Sequence, residues 1–150
     1  MTIVDAARAY IAWVEGGAHD LRALHAILAR LQFAAASLPE ISVDDEPVVE
    51  TLDTRPAYAD IVKAFADLPV ATYTMMFAPL DVADEQPVQG ALSDDLADIY
   101  LDLLDGFRYY EAGHVREAAW HWRFTYYSHW GRHLGHAQTA LWQYLADGGL

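Results

Sequence analysis

The chain has 150 residues, of which 54% are hydrophobic, 13% aromatic and 21% charged, a composition typical of one globular domain rather than a disordered tail. Its formal net charge of -13 argues against general binding to nucleic acid or to an anionic membrane, because both attract basic surfaces. The absence of cysteine excludes disulfides, thiol catalysis and cysteine-ligated zinc or iron–sulfur sites.

No targeting segment is visible in the sequence. The first residues lack the basic region and apolar run of a secretory signal. No uninterrupted apolar stretch reaches the roughly 18 residues that a membrane span needs. We therefore expect a cytoplasmic protein that does not cross a membrane.

The first two predicted helices cover residues 2–15 and 19–37. Thr2 is suited to cap the first helix, whose apolar side chains recur at helical spacing. In the second helix, apolar residues alternate at spacings of three and four and form a narrow packing seam. The seam consists of Leu21, Leu24, Leu28, Leu31 and Ala35. It suggests packing against a second copy of the chain, that is, a homodimer.

The middle of the chain is divided by prolines. We interpret the acidic residues 39–53 as a solvated loop. A third helix comes next, with Asp53 or Thr54 suited to cap it and Pro56 suited to its first turn. For the apolar run Tyr73–Phe77 we favour a helical turn or an ordered loop, because an isolated strand has no pairing partner.

The fourth predicted helix begins at Ser93, which is suited to cap it. Asp94 and Asp95 lie in its first turn, where the helix dipole favours negative charge. The pair Ala112-Gly113 then predicts a tight turn into another helix.

The fifth predicted helix runs from about His114 to Asp147 and carries apolar groups over more than half of its circumference. Such a helix is typically central in a bundle. Gly131 and Gly135 within it predict close packing against a neighbour. The sequence therefore predicts a single all-α domain over residues 1–150, a helical bundle of about five main helices with a long central C-terminal helix.

The fifth helix has two chemically different faces when residues are placed about 100° apart. The apolar face comprises Trp120, Phe124, Tyr127, Trp130, Leu134, Leu141, Trp142 and Leu145. An antiparallel arrangement of helices four and five, counted from the turn, places Asp102 opposite Arg123, Asp98 opposite His129 and Asp95 opposite Arg132. Because the two arginines point about 180° apart, we expect only one of the arginine pairs, Arg123–Asp102.

Three histidines of the fifth helix, His129, His133 and His136, lie within an arc of about 60°. Two imidazoles one turn apart can bind one divalent metal ion, so His129 and His133 form a candidate ligand pair. A third ligand must come from another helix, and either His25 or an aspartate of the fourth helix could supply it. The alternative is a solvated polar face or a set of histidine–aspartate contacts.

Other chemical motifs are absent from the sequence. It has no nucleophile elbow, phosphate-binding loop or dinucleotide fingerprint, and we assign no catalytic residue. A small-ligand pocket is possible between the side of Trp122 and Tyr126 and the segment Tyr73–Phe77. The candidate ligand-binding residues are Trp122, Arg123, Tyr126, Arg132, His136, Asp98 and Asp102.

Three segments of the C-terminal half resemble a bacterial family called domain of unknown function 5063. They are Ser93-Asp94-Asp95-Leu96-Ala97-Asp98-Ile99-Tyr100-x-Asp102-Leu103, Trp120-x-Trp122-Arg123-Phe124, and His129-Trp130-Gly131-Arg132-His133-Leu134. The Ala-x-x-Tyr pattern of the first helix and the leucine-rich second helix also fit. The resemblance implies an all-helical domain, with no established activity, cofactor or catalytic residue.

Two functions remain open at this stage. The first is a small cytoplasmic module that contacts a protein partner or assembles with itself, without a cofactor. The alternative is a metal-binding helical bundle or a metal-dependent enzyme that uses His129 and His133 with a third ligand, either His25 or a carboxylate.

Overall fold

The computed structural model describes residues 1–16, 19–44, 55–83 and 86–148. The elements in these ranges are α1 (Ile3–Glu15), α2 (Leu21–Ala36), α3 (Arg55–Phe65), β1 (Thr72–Met76), β2 (Pro87–Ala91), α4 (Leu92–Glu111), α5 (Val115–Thr125), a five-residue π-helical turn that we call the π segment (Tyr126–Trp130), and α6 (Gly131–Ala146). The helical bundle is confirmed, but a small antiparallel sheet is added to it, so the fold is not strictly all-α.

The first two helices begin where the sequence provides caps. Thr2 and Asp5 form a capping box, in which each side chain accepts a hydrogen bond from the other residue's backbone N–H. Asp20 caps α2 through a 2.9 Å hydrogen bond from the backbone N–H of Arg22. The leucine seam of α2 is buried within the chain itself, where α2 packs on α1 and α6. The seam is therefore not available to a second copy.

The connector predicted at 39–53 is described only in part. Residues 39–44 contain neither helix nor strand, in agreement with a loop. The rest of it, together with the proposed caps Asp53 and Thr54, lies outside the described residues.

The predicted helical turn or loop at Tyr73–Phe77 is wrong. Residues Thr72–Met76 form β1, which pairs antiparallel with β2 and places Tyr73 opposite Gly90. The pairing partner was missed because Pro87 and Gly90 are unfavourable in strands. The hairpin is tied to the bundle where the backbone N–H of Leu92 donates to the carbonyl of Ala71.

α4, rather than the C-terminal helix, is central. It packs against α1, α3, α5 and α6, and ten of its 20 residues are buried. The predicted cap Ser93 lies inside this helix, which begins one residue earlier because β2 leads directly into it; the N-cap is Ala91, which makes no side-chain hydrogen bond. α4 therefore meets the C-terminal helical stretch along much of its length.

The predicted C-terminal helix is helical from Val115 to Ala146, but the π segment interrupts its α-helical geometry. A π turn accommodates one extra residue and rotates the helical residues after it. As a result, Trp122 and Trp130 are both buried, although eight residues separate them. The predicted apolar face is wrong in part, because Phe124, Tyr127 and Trp142 are exposed.

Candidate functional site

A row of aspartates on α4 faces histidines of the π segment and α6. The Nδ1 atom of His129 lies 2.6 Å from a carboxylate oxygen of Asp102. The Nδ1 atom of His133 lies 2.9 Å from a carboxylate oxygen of Asp95. The Ala112-Gly113 turn makes the two helices antiparallel, and the helical spacing of each side then brings successive aspartates to successive histidines.

The hairpin completes the surroundings of this row. The Tyr73 hydroxyl donates a hydrogen bond to Asp95, and the Tyr58 hydroxyl of α3 donates one of 3.2 Å to Asp94. Gly90 lies opposite Tyr73, and a Cβ there would approach the tyrosine ring to 2.7 Å. The missing side chain of Gly90 therefore leaves room for the ring of Tyr73, whose hydroxyl reaches α4.

Burial changes the pKa values of several side chains in and beside this row. Burial raises the pKa of Asp98 and of Asp102, and nearby histidines partly offset both shifts. Burial alone would lower the pKa of His133, but its hydrogen bond to Asp95 and the charge of Asp98 outweigh this and raise it. The pKa of Tyr73 is raised by burial and by its hydrogen bond to Asp95. The site thus favours a positive charge at His133.

One aspartate of this row and the two histidines that face it are grouped as metal ligands would be. Asp98, His129 and His133 each offer one donor atom, and these atoms lie within 4.8 Å of one another. The Nε2 atom of His133 is 3.5 Å from a carboxylate oxygen of Asp98. Among the described parts of the chain, this is the one group of at least three such side chains close enough to hold an ion.

His25, the histidine considered as third ligand from sequence, is not in this group. It lies on α2 beside a shallow hollow that it shares with Gln138, Thr139 and Trp142. The other possibility left open from sequence, an aspartate of the fourth helix, agrees with the geometry, since Asp98 is the third member. Either a histidine or an aspartate could complete a site with His129 and His133. The choice of Asp98 over His25 follows only from the packing of α4 against the two histidines.

The expected ion pair between Arg123 and Asp102 is not formed. Asp102 pairs with His129, and Arg123 lies over the ring of Tyr127, with its guanidinium carbon 5.1 Å from the ring centre. The facing positions counted from the turn are shifted as well, because Asp95 contacts His133 rather than Arg132. The extra residue of the π segment changes which of the later side chains, from His129 onward, face α4. Arg123 precedes the π segment, so the extra residue does not account for its contact with Tyr127.

The remaining candidate ligand-binding residues are spread over different environments. Trp122 is buried in the core, where its indole N–H donates to the carbonyl of Leu103, and Tyr126 packs edge-on against Trp130. Arg132 lies over the Phe77 ring at 4.2 Å. His136 hydrogen-bonds to the backbone of Met76. Only the last two line an open space near the aspartate row.

That open space has two parts. A hollow of about 370 Å³ is lined by Asp94, Asp95, Arg132 and His133, among others. A larger cavity of about 790 Å³ lies between β1 and α6. The expected pocket beside Tyr73–Phe77 thus has a counterpart, but its opposite wall is α6 rather than Trp122 and Tyr126.

Asp95 and Tyr73 were not among the residues singled out as ligand-binding or metal-binding from sequence. Asp95 was interpreted as a residue that interacts with the helix dipole in a first turn. Tyr73 belonged to a segment with the wrong predicted structure. The signal that could have identified Asp95 is its helical spacing from Asp98 and Asp102, which places all three on one side of α4.

Comparison with known proteins gives the family and the fold. A family model described as a domain of unknown function (DUF5063) matches residues 1–147. The chain belongs to this family. No curated protein matches the chain. The crystal structure of protein BF1032 from Bacteroides fragilis is similar, with a TM-score of 0.74 and 21% identity over 93% of this chain and 87% of that chain. At this identity the likeness establishes the fold alone.

None of the described helices combines the length and the apolar character that a membrane crossing requires. Cytoplasmic location and the absence of nucleic-acid partners remain predictions for this DUF5063 member.

Proposed function

We propose that this protein binds a divalent transition-metal ion through His129, His133 and Asp98. The observation that carries the proposal is the grouping of two imidazoles and one carboxylate from α4, the π segment and α6, with their donor atoms within 4.8 Å of one another. Two histidines and one carboxylate are a donor set known for zinc and for non-haem iron, and both leave coordination positions open.

The distances are compatible with a bound ion. Donors that lie about 2.1 Å from a tetrahedral ion are separated from each other by about 3.4 Å. The Nε2 atom of His133 and the carboxylate oxygen of Asp98 are already 3.5 Å apart. A bound ion therefore requires only that the His129 side chain, which is 44% exposed, move closer to the other two.

Both histidines also have the hydrogen bonds that orient metal ligands. Asp102 and Asp95 each accept a hydrogen bond at Nδ1 of one imidazole, so the proton of the neutral ring resides on Nδ1 and the lone pair on Nε2. Carboxylate–histidine–metal arrangements of this kind fix the ring and increase the basicity of the ligand. A network that served stability alone would not need the Nε2 atom of His133 to lie beside a further carboxylate, that of Asp98.

The test is an analysis of the metal content of tag-free protein, followed by calorimetric titration of the metal-free protein with Zn²⁺, Fe²⁺ and Mg²⁺. We expect one Zn²⁺ or Fe²⁺ per chain and no measurable Mg²⁺, because imidazole suits the first two ions and Mg²⁺ prefers oxygen ligands. His133→Ala and Asp98→Asn should each abolish stoichiometric binding.

His25→Ala is the matched control, because it also removes one histidine from the chain. It should bind Zn²⁺ as tightly as the unmodified protein. Equal loss of binding in His25→Ala and His133→Ala, or unchanged binding in Asp98→Asn, would refute the proposed ligand set. Absence of binding by the unmodified protein would leave the histidine–aspartate row with a structural role only.

A second candidate function is contact with another protein, which we propose to be a second copy of this chain bound through apolar side chains of residues 77–82, which follow β1. The supporting observation is the exposure of Leu80 and Val82, which are 95% and 91% accessible, next to the exposed Phe77. Neighbouring exposed apolar side chains of this kind are typical of interaction sites.

The test of the dimer is light scattering coupled to size-exclusion chromatography over a range of concentrations. Leu80→Ser combined with Val82→Ser should shift a dimer to monomer while the helical circular dichroism spectrum of the folded protein is unchanged. Val115→Ser, which alters an exposed apolar residue at the start of α5, should leave the dimer intact. A monomer at every concentration would eliminate this candidate.

A further inference from the structure

The cavity between β1 and α6 has the size and lining of a small-molecule site. Its volume of about 790 Å³ falls within the range of about 300–1,000 Å³ that is usual for such sites. Its walls carry apolar and aromatic side chains, among them Val70, Met75, Ala140 and Tyr144, and uncharged polar groups such as Thr139. Its remaining ionisable side chains, His136 and Asp147, lie at its two ends along α6.

The cavity continues into the smaller hollow beside the aspartate row. Thr72, Met75 and His136 line both spaces. The section from His136 to Asp147 follows α6 for about 16 Å at the helical rise per residue. Together the two spaces form a trench that suits an elongated molecule rather than a compact one.

Arg132 is the cationic side chain at the hollow end of this trench, and the two carboxylates there, Asp94 and Asp95, are engaged by other groups. Asp94 accepts a hydrogen bond from Tyr58, and Asp95 accepts hydrogen bonds from Tyr73 and His133. Arg132 forms no ion pair within the described residues; its guanidinium is stacked on Phe77, which leaves N–H groups at its edge to bind an anion.

We propose that this trench binds an elongated small molecule with an apolar body, seated between β1 and α6, and a carboxylate head group beside Arg132. The body matches the apolar walls, and the head group meets an arginine without an acidic partner. The described lining of the cavity holds no arginine or lysine at the Asp147 end, so the reversed orientation lacks a cationic partner for the head group. The inference goes beyond the metal site and does not depend on it, although His133 places the hollow next to that site.

The test is calorimetric titration of metal-free protein with three probes of equal chain length: decanoate, decanol and decyltrimethylammonium. Decanoate should bind at one molecule per chain, with decanol at least about tenfold weaker because it lacks the charge-assisted hydrogen bonds to Arg132. The ammonium probe should bind more weakly still. Equal or tighter binding of either competitor, or no binding of decanoate, would overturn the proposal.

Variants locate the two parts of the ligand. Thr139→Trp and Gln143→Trp each fill the cavity from an exposed position of α6 and should abolish decanoate binding. Ala29→Trp places the same side chain on an exposed position of α2 and should bind normally. Unchanged decanoate binding in both filled variants, each verified as folded by its melting curve, would show that the probe binds elsewhere and would overturn the proposal.

The head group is tested at Arg132. Arg132→Gln should weaken decanoate about tenfold while leaving decanol unchanged, and Arg132→Lys should recover part of the loss. Zn²⁺ titration of the same variants is a separate readout, since a protein that binds Zn²⁺ but not decanoate contradicts only the trench, and the reverse contradicts only the metal site. Equal weakening of decanoate and decanol in Arg132→Gln would contradict the carboxylate head group.

Discussion

Gly106 and Gly135 both lie inside helices but differ in the space around their α-carbons. A Cβ on Gly106 would lie 1.9 Å from the indole nitrogen of Trp122, whereas a Cβ on Gly135 would meet nothing within 4 Å. The close packing predicted from the glycines of the C-terminal helix is thus wrong at Gly135. The close approach between helices occurs instead at Gly106, where the buried Trp122 crosses α4.

The pair provides a matched prediction for stability. Gly106→Ala should lower the free energy of unfolding by about 1–3 kcal/mol, because the indole must move and its hydrogen bond to Leu103 is disturbed. Gly135→Ala should raise it by up to about 1 kcal/mol, because alanine favours the helix and nothing obstructs it. Urea denaturation measures both, and a loss of stability in Gly135→Ala as large as in Gly106→Ala would contradict this packing.

The π segment determines which of the later side chains face α4. Trp122 and Trp130 would lie about 80° apart on a regular α-helix, yet both are buried. A Cβ on Gly131 would lie 2.2 Å from the carbonyl oxygen of Tyr126, so the π turn requires glycine at this position. Gly131 therefore allows the π turn to form. The π turn takes up the extra residue and keeps Trp122 and Trp130 on the buried side of the helix.

This geometry predicts that one residue can be removed here at little cost. Deleting the exposed Ser128 brings Trp122 and Trp130 to a seven-residue separation, about 20° apart on an α-helix. We expect a loss of about 1 kcal/mol, chiefly from the hydrogen bond between the Trp130 indole and Thr125.

Deletion of the exposed Thr139 is the control, because it lies in regular α-helix and turns the buried Leu141 out of the core. That change should cost about 2–5 kcal/mol, as a truncated core leucine does. Thermal unfolding followed by circular dichroism compares the two proteins. If the Ser128 deletion is as damaging as the Thr139 deletion, the π segment is not a tolerated insertion.

The elements that were predicted correctly are those whose local signals are self-contained. Thr2 caps α1, the apolar period identifies α2, and Ala112-Gly113 identifies the turn before α5. β1 and β2 were missed because the existence of each strand depends on the other. Gly90 is a strand breaker in isolation and becomes favourable only once Tyr73 lies opposite it.

The candidate metal site depends on how separate helices of the fold pack together. The pair His129 and His133 is visible in the sequence because both lie on one helical stretch. Asp98 could not be chosen over His25, because that choice depends on whether α4 or α2 faces the histidines. Counting residues from a turn fixes such facing only when both helices are regular, and the π segment breaks that condition.

Metal binding should make the stability of the whole molecule depend on pH in a way that reveals the site. The pKa of His133 is raised in the metal-free protein, so its protonated form adds stability below the unfolded pKa, and this contribution is lost as the pH rises through the folded pKa. Zn²⁺ has the opposite dependence, because it binds only the deprotonated imidazoles. Because the pKa of His133 is raised, protons compete with Zn²⁺ for this imidazole at pH values above the usual pKa of a histidine.

We therefore expect the gain in melting temperature on adding Zn²⁺ to grow between about pH 6 and about pH 8. At a free concentration about 100 times the dissociation constant, the ion should contribute about 2.7 kcal/mol, which corresponds to a rise of roughly 5–11 °C for a chain of this size. Other titrating groups contribute to both melting curves and largely cancel in the difference. His25→Ala should reproduce the trend and Asp98→Asn should remove it, whereas a gain that is the same at both pH values would indicate that Zn²⁺ does not displace a proton from His133.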